Sequence, residues 1–452
     1  ATFGWWNENF TTRVCGLGET LAEKAKIVLK INTGAAVLGL GYIIGLKYAA
    51  IICAGSLAVW LLIVPCMNLL FGDQLLNAWN PSITQTISEM APETIFKEYA
   101  KSIGIGGIAM AGVIGIFRSW GIIKSAVGLA AKEMGGKKET VAVKRTQKDL
   151  SMKVIAFGSI FTLLLTFIFF LTDVMHGNLL HSIVAILLVA GISFLFTTVA
   201  ANAIAIVGTN PVSGMTLMTL ILASVVMVAV GLKGATGMVA ALVMGGVVCT
   251  ALSMAGGFIT DLKIGYWLGT TPAKQQTWKF LGTLVSAATV GGVIMILNKT
   301  YGFTSGALAA PQANAMAAVI DPLMNGVGAP WLLYGIGAAL ALVLTYFNIP
   351  ALAFALGMFI PLELNLPLLV GGAINWYVTT RSKDEKINNE RGEKGTLLAS
   401  GFIAGGALMG VVSAAMRFGG INLVNEGWLA NPMSELVSLV AYALLIVYLI
   451  KA

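Results

Sequence analysis

Long apolar stretches separated by short polar ones set the pattern of this chain. Val154 to Thr172, Ile183 to Val207 and Thr396 to Met416 contain no ionisable side chain, and each approaches the ~20 residues an α-helix needs to cross a hydrocarbon core. Such stretches recur throughout, giving about twelve candidate spans near 33–46, 48–71, 103–128, 153–172, 183–207, 215–232, 235–258, 280–297, 331–347, 350–378, 395–417 and 433–451. Two places depart from an unbroken rod. Gly208 to Thr216 is polar between two apolar runs, and Ile349 to Val378 carries Pro350, Pro361 and Pro367, each of which interrupts a helical hydrogen-bond ladder. The pattern predicts an all-α fold, a polytopic membrane helical bundle with broken or re-entrant helices.

Composition sharpens this. Of 452 residues 57% are apolar and 11% charged, whereas soluble domains carry about 25% charged residues. The 53 glycines lie mostly inside the apolar segments. Spaced four apart, as in Gly41/Gly45, Gly401/Gly405 and Gly406/Gly410, small residues let helix backbones approach closely. The net charge of +8 reports orientation rather than a nucleic-acid partner, because Lys and Arg cluster in short loops at 132–153, 261–279 and 381–394, which the positive-inside rule assigns to the cytoplasm. The intervening loops at 173–182, 298–330 and 418–432 are poor in positive charge and are expected outside. On this count the segment 350–378 starts and ends on one side, which a single unbroken span cannot do. Three of the four cysteines sit within apolar segments and none has metal-ligand spacing, while His176 and His181 are five apart in an outer loop, so no metal site or disulfide framework is expected.

The chain also repeats itself. Gly41, Ile44, Leu46, Gly55 and Trp60 recur as Gly357, Ile360, Leu362, Gly371 and Trp376 at a constant offset of 316. Ser102, Gly107, Ala109, Gly112 and Val113 recur as Ser400, Gly405, Ala407, Gly410 and Val411 at an offset of 298. We read a duplicated membrane unit, with residues 1–152 as the later part of a first repeat and 153–452 as the second; loop charge leans towards an inverted pair. The counterpart of Gly208 to Thr216 falls before residue 1, so the sequence is expected to begin inside a longer protein that has at least ~110 further residues.

Four places carry candidate chemistry. In Thr209-Asn210-Pro211-Val212-Ser213, Thr209 or Asn210 can cap a helix whose first position suits Pro211. Its free N–H groups and positive dipole end would receive a substrate carboxylate, a tight interfacial turn being the alternative. Glu363, aligned with Lys47 in the repeat, is the candidate for taking up a coupling proton, with Lys47 holding a carboxylate or pairing with it; snorkelling to an interface is the alternative for both. Asn365 lies beside Glu363 between two prolines. Asn202, in an otherwise apolar helix, lines a pathway or makes an interhelical hydrogen bond. No Walker A sequence and no His-Glu-x-x-His motif is present, and no catalytic pair suggests a membrane-embedded enzyme.

At these residues the sequence resembles the oligopeptide transporter family, in the bacterial branch related to the yellow-stripe-like metal-chelate carriers. The resemblance rests on Leu40-Gly41-Tyr42-Ile43-Ile44-Gly45, on Asn210-Pro211-Val212-Ser213-Gly214-Met215-Thr216, on Asp261-Leu262-Lys263-Ile264-Gly265-Tyr266 continuing to Thr271-Pro272-Ala273-Lys274-Gln275-Gln276, and on Ala310-Pro311-Gln312-Ala313-Asn314 and Leu397 to Gly405. It implies about sixteen spans made by duplication and proton-coupled symport of short peptides or metal chelates, with no cofactor beyond the proton gradient. Similar bacterial sequences often carry Glu where this chain has Gly405 or Gly406, which moves coupling here to Glu363 or to segments before residue 1. The expected protein is a multi-pass importer of short peptides in a bacterial inner membrane, with a site at the repeat interface near Asn210 and Pro361.

Overall fold

The computed structural model describes residues 4–14, 16–74, 76, 84–118, 121, 144–207, 212–303, 311–325 and 330–451. Helices dominate. Two three-residue strands, β1 (Asn9–Thr11) and β2 (Lys30–Asn32), pair antiparallel. The helices are α1 (Gly16–Lys24), α2 (Ala35–Ile44), α3 (Leu46–Leu57), α4 (Val64–Phe71), α5 (Pro92–Ile95), α6 (Lys101–Arg118), α7 (Met152–Phe169), α8 (Leu179–Val207), α9 (Val212–Ala229), α10 (Gly234–Leu268), α11 (Pro272–Tyr301), α12 (Pro311–Asn325), α13 (Trp331–Tyr346), α14 (Ala351–Phe359), α15 (Leu362–Thr380), α16 (Glu385–Phe418), α17 (Glu426–Leu429) and α18 (Pro432–Lys451).

Among the described residues, seven helical stretches are long and apolar enough to cross a bilayer, and three shorter apolar helices accompany them. The candidate spans at 33–46 and 48–71 meet at a single residue, Gly45: α2 has ten residues, and α3 continues through the π-helical turn Ala58–Ile63 into α4. The candidate 350–378 is two helices, α14 and α15, separated by Ile360 and Pro361. Because α14 packs on α3 while α15 packs mainly on α2, this is one helix interrupted partway rather than a re-entrant hairpin.

Two of the expected cytoplasmic loops are instead largely helix. α10 runs on to Leu268 and α11 starts at Pro272, so only three residues separate them, and α16 begins at Glu385. At 1.5 Å per residue these helices, of 35, 30 and 34 residues, outreach a ~30 Å hydrocarbon core. Their Lys- and Glu-bearing ends are good helix formers and need no lipid to stay folded.

The chain divides into two compact units, one of Ala1–Ile108, Gly292–Ala309 and Pro330–Ala452, the other of Ala109–Gly291 and Ala310–Ala329. In the first, Leu38, Tyr42, Ile374, Val378, Ala399 and Tyr442 form one buried cluster, and Val59, Trp60, Ile95, Tyr99, Met358 and Leu362 belong to another. In the second, α8, α9, α10 and α12 enclose Phe196, Leu220, Met227, Met244, Val248 and Met324. α7 and α11 have no buried residue and expose large apolar side chains such as Phe157, Phe161, Leu284 and Met295. A helix of this kind is solvated by acyl chains rather than water. The protein is an integral multi-pass membrane protein.

Candidate functional site

The first unit is organised about the crossing of two interrupted helices, α2–α3 and α14–α15. Their close approaches are backbone to backbone. A β-carbon on Gly41 would come within 2.3 Å of the Leu368 carbonyl oxygen, and one on Gly357 within 1.8 Å of the Ile52 carbonyl oxygen. Likewise Gly55 faces the Phe354 carbonyl and Gly371 that of Leu38. The helices run antiparallel, since Leu38 meets Gly371 while Gly41 meets Leu368. The contacts are also reciprocal: moving each partner by the offset of 316 turns Gly41–Leu368 into Gly357–Ile52, and Gly55–Phe354 into Gly371–Leu38.

The interruptions have different chemistry at equivalent positions, Gly45 and Pro361. Gly45 has φ 80° and ψ 161°, a conformation open essentially to glycine alone. Ile360 and Pro361 are both extended, with ψ 136° and 146°, and proline has no N–H with which to continue the ladder. Breaking a helix frees backbone groups on both sides. At the end of α14 the Gly357 carbonyl accepts from Ser56 Oγ at 2.6 Å and from Asn365 Nδ2 at 3.2 Å. The Ile360 carbonyl accepts from the same two groups at 3.3 and 3.1 Å. Asn365 Nδ2 also donates to Ser56 Oγ.

Ser56 and Asn365 are both fully buried, yet Asn365 Oδ1 has no hydrogen-bond partner. A buried acceptor left unpaired costs about 1–3 kcal/mol. The cluster is one-sided. The positions that correspond to Ser56 and Asn365 across the repeat are Gly372 and Ala49, and these meet as an apolar pair, a β-carbon on Gly372 lying 3.1 Å from Ala49 Cβ. Beside the interruption Lys101 Nζ sits 4.8 Å from the centre of the Phe359 ring.

Of the residues singled out from sequence, Glu363 lies in the first turn of α15 and is half-buried, and Lys47 is exposed in the first turn of α3. No ion pair joins them among the described residues, and no hydrogen bond holds the Glu363 carboxylate there. Thr209, Asn210 and Pro211 lie outside the described residues, as do the side chains of Asn202 in α8 and Ser213 in α9. The helix boundaries fall at Val207 and Val212, on either side of that polar stretch. Ser56 and Lys101 went unread in the sequence: a serine within an apolar run looks inert until its partner, 309 residues away, is known. Gly45 looked like a packing residue because it stands four after Gly41. Gly401, Gly405 and Gly410 also looked like packing residues, but a β-carbon on any of them would meet nothing within 4 Å; only Gly406 of those pairs nears a neighbour, Ala36.

The second unit holds a clamp at the α10–α11 turn. Gly269, at φ 68°, ends α10. Gln275 Nε2 donates to the Asp261 carbonyl at 2.6 Å, and Lys279 pairs with the Asp261 carboxylate. Gln276 donates to Asp149 and accepts from the Leu150 amide, while Arg145 donates to Thr271 and to the Gly269 carbonyl. In the first unit a groove of about 640 Å³ lies between the later part of α15, at Asn375 and Thr379, and the start of α16, at Asn388 and Glu393; in the second unit an apolar cavity of about 300 Å³ lies beside Lys279.

A family model described as OPT oligopeptide transporter protein matches residues 1–417. A protein of Haemophilus influenzae named "Putative oligopeptide transporter" is 26% identical over 435 residues, covering 86% of this chain and 67% of that protein.

Proposed function

The chain belongs to the OPT oligopeptide transporter family, and from that premise we propose that it is a secondary active symporter that imports short oligopeptides, driven by the proton gradient across a bacterial inner membrane. The carrying observation is the antiparallel crossing of two helices interrupted at the equivalent residues Gly45 and Pro361. Interrupted spans concentrate unpaired backbone groups where apolar rods offer a solute nothing to bind, and repeats of opposite orientation are what alternating access uses. The reciprocal contacts support reading residues 41–60 and 357–376 as inverted copies.

In this reading Glu363 takes up the coupling proton, since its carboxylate stands beside the interruption without a partner among the described residues. Lys47, at the start of α3, and the free N–H groups beside it attract a peptide carboxylate; Asn365 shapes the opposite side of the interruption. In the second unit the start of α9, with Thr209, Asn210, Pro211, Ser213 and Asn202 of α8, forms a further carboxylate-binding element.

The test is uptake into proteoliposomes holding the full chain, with di- to hexapeptides and ferric chelates offered under an imposed pH gradient. Peptides should accumulate against their gradient, chelates should not, and Glu363→Gln should lose accumulation while keeping peptide exchange. Accumulation that ignores the pH gradient would overturn proton coupling, and preference for chelates would overturn the peptide assignment.

A further inference from the structure

We propose that the apolar cavity between α7, α10 and α11 holds an acyl chain of an anionic phospholipid, whose headgroup phosphate meets Lys279 at the cavity's polar end. The cavity, of about 300 Å³, lies wholly within the second unit. Leu150 and Ile155 wall it on one side, Met254 and Phe258 of α10 on another, and Phe280 with Thr283 of α11 on the third. Its size is at the small end of the ~300–1,000 Å³ of ligand sites, enough for a stretch of one acyl chain and too small for a peptide.

The cavity stands where α11 changes character. From Pro272 to Lys279 this helix is largely polar, and from Phe280 onward it is apolar, so Gln276 and Lys279 mark the edge of the hydrocarbon and Thr283 lies one turn deeper. Exposed Trp267 and Trp278 fit the headgroup layer, where amphipathic aromatic rings collect. The cavity also opens sideways: α7 and α11 have no buried residue, and Ile155 and Phe280, which wall the cavity, are 45% and 72% exposed. A chain can therefore enter from the bilayer without leaving hydrocarbon.

Charge selects the headgroup. Around the cavity's polar end, residues 144–153 and 261–279 carry seven basic side chains, those of Lys144, Arg145, Lys148, Lys153, Lys263, Lys274 and Lys279, against Asp149 and Asp261. Both acids are engaged, Asp149 by Gln276 Nε2 at 2.9 Å and Asp261 by Lys279. The groups that Arg145 reaches, Thr271 and the Gly269 carbonyl, are neutral. An excess of positive charge thus stands at the headgroup layer, where each cation attracts anionic lipid. Lys279, the one cation that lines the cavity, is about a third exposed and has three N–H donors, so a phosphate oxygen can share it with Asp261. The proposal needs only a membrane-embedded chain and is independent of the peptide reading.

The experiment is thermal unfolding of the purified, delipidated full chain in detergent, titrated with phosphatidylglycerol, with phosphatidylcholine or with inorganic phosphate. Phosphatidylglycerol should raise the unfolding midpoint at a lower concentration than phosphatidylcholine, and phosphate alone should leave it unchanged. Thr283→Trp, which fills the cavity, should abolish this preference. Two further variants remove the same ion pair with opposite consequences for lipid: Lys279→Gln should raise the half-maximal phosphatidylglycerol concentration about fivefold, whereas Asp261→Asn, which frees Lys279, should lower it. If the pair is merely structural, both variants shift the lipid response in one direction or not at all, and the proposal falls. It falls too if the two lipids act alike on the natural chain, if Thr283→Trp folds and keeps the preference, or if phosphate alone reproduces the shift, which would assign Lys279 to a free anion. A midpoint that ignores lipid and follows protein concentration would assign the cavity to a second copy of the chain and equally overturn the proposal.

Discussion

Gly41 lies against the carbonyl of Leu368, and Gly357 lies against that of Ile52 by the same relationship turned end for end. Such an approach is available only where no side chain intervenes, and in lipid it is packing rather than apolar burial that holds helices together. A methyl at either glycine must push two backbones apart. Gly41→Ala and Gly357→Ala should each destabilise the chain by about 1–3 kcal/mol, seen as a lower unfolding midpoint in detergent. Gly401→Ala and Gly410→Ala, which meet nothing, should be neutral or stabilising by up to about 1 kcal/mol from helix propensity. Equal losses at all four positions would show that the crossing does not depend on close approach.

At Gly45 the constraint is conformational, because a β-carbon there would meet nothing within 4 Å while φ is 80°. Gly45→Ala therefore should cost about 1–3 kcal/mol through backbone strain, in contrast to Gly401→Ala at an equally open site. If strain is relieved by straightening α2 into α3, peptide accumulation is lost with little change in the amount of folded protein. An alanine variant with natural uptake and stability would mean that the left-handed turn is dispensable.

Much of this architecture was legible and some of it could not be. Apolar runs announce membrane helices because lipid demands uniform surfaces, and the three prolines between 350 and 367 announce an interruption without placing it: the break falls at Pro361, while Pro350 precedes α14 and Pro367 sits inside α15 without ending it. Gly45 and Gly41 are identical letters with opposite tasks, one a positive-φ hinge and the other a contact surface, and only the three-dimensional neighbourhood separates them. Ser56 and Asn365 could not be paired from sequence, since their meeting depends on how two distant helices cross. The stretch Asp261 to Gln276 was read as a family signature; the structure gives it a mechanical task, joining α10 to α11 and to residues 145–150.

That clamp makes its own prediction. A β-carbon on Gly265 would collide with Gln275 Oε1 at 2.2 Å and Thr270 Oγ1 at 2.6 Å, so Gly265→Ala should displace Gln275 from the Asp261 carbonyl. Loss of that hydrogen bond and the accompanying crowding should lower stability by about 1–2 kcal/mol. Limited proteolysis at the α10–α11 turn should then speed up. Combining Gly265→Ala with Gln275→Ala should cost less than the sum of the two, because each removes the same contact; strict additivity would dissociate Gly265 from the clamp.

Acid should act elsewhere, on Glu93. Arg13 Nη2 lies 3.0 Å from one of its carboxylate oxygens and Lys30 Nζ 2.8 Å from the other, so one side chain ties α5 to β2 and to the turn that follows β1. Burial pushes its carboxyl up, but the Lys30 hydrogen bond, a backbone hydrogen bond and the charges of Lys30 and Arg13 together outweigh this and hold it below the ordinary carboxylate value. A group whose pKa is lowered by folding stabilises the native state above its unfolded value, about 4.3, and loses that contribution as the pH falls through the folded value. The natural chain should therefore lose part of its stability as the pH is lowered below about 5. Glu93→Gln should be less stable at pH 7 by about 1 kcal/mol or less, the group being partly solvated, and its difference from the natural chain should shrink as the pH approaches about 3.5. Unfolding midpoints of the two proteins across that range decide the matter: curves that converge at low pH place the acid-labile ion pair at Glu93, whereas parallel curves place it elsewhere.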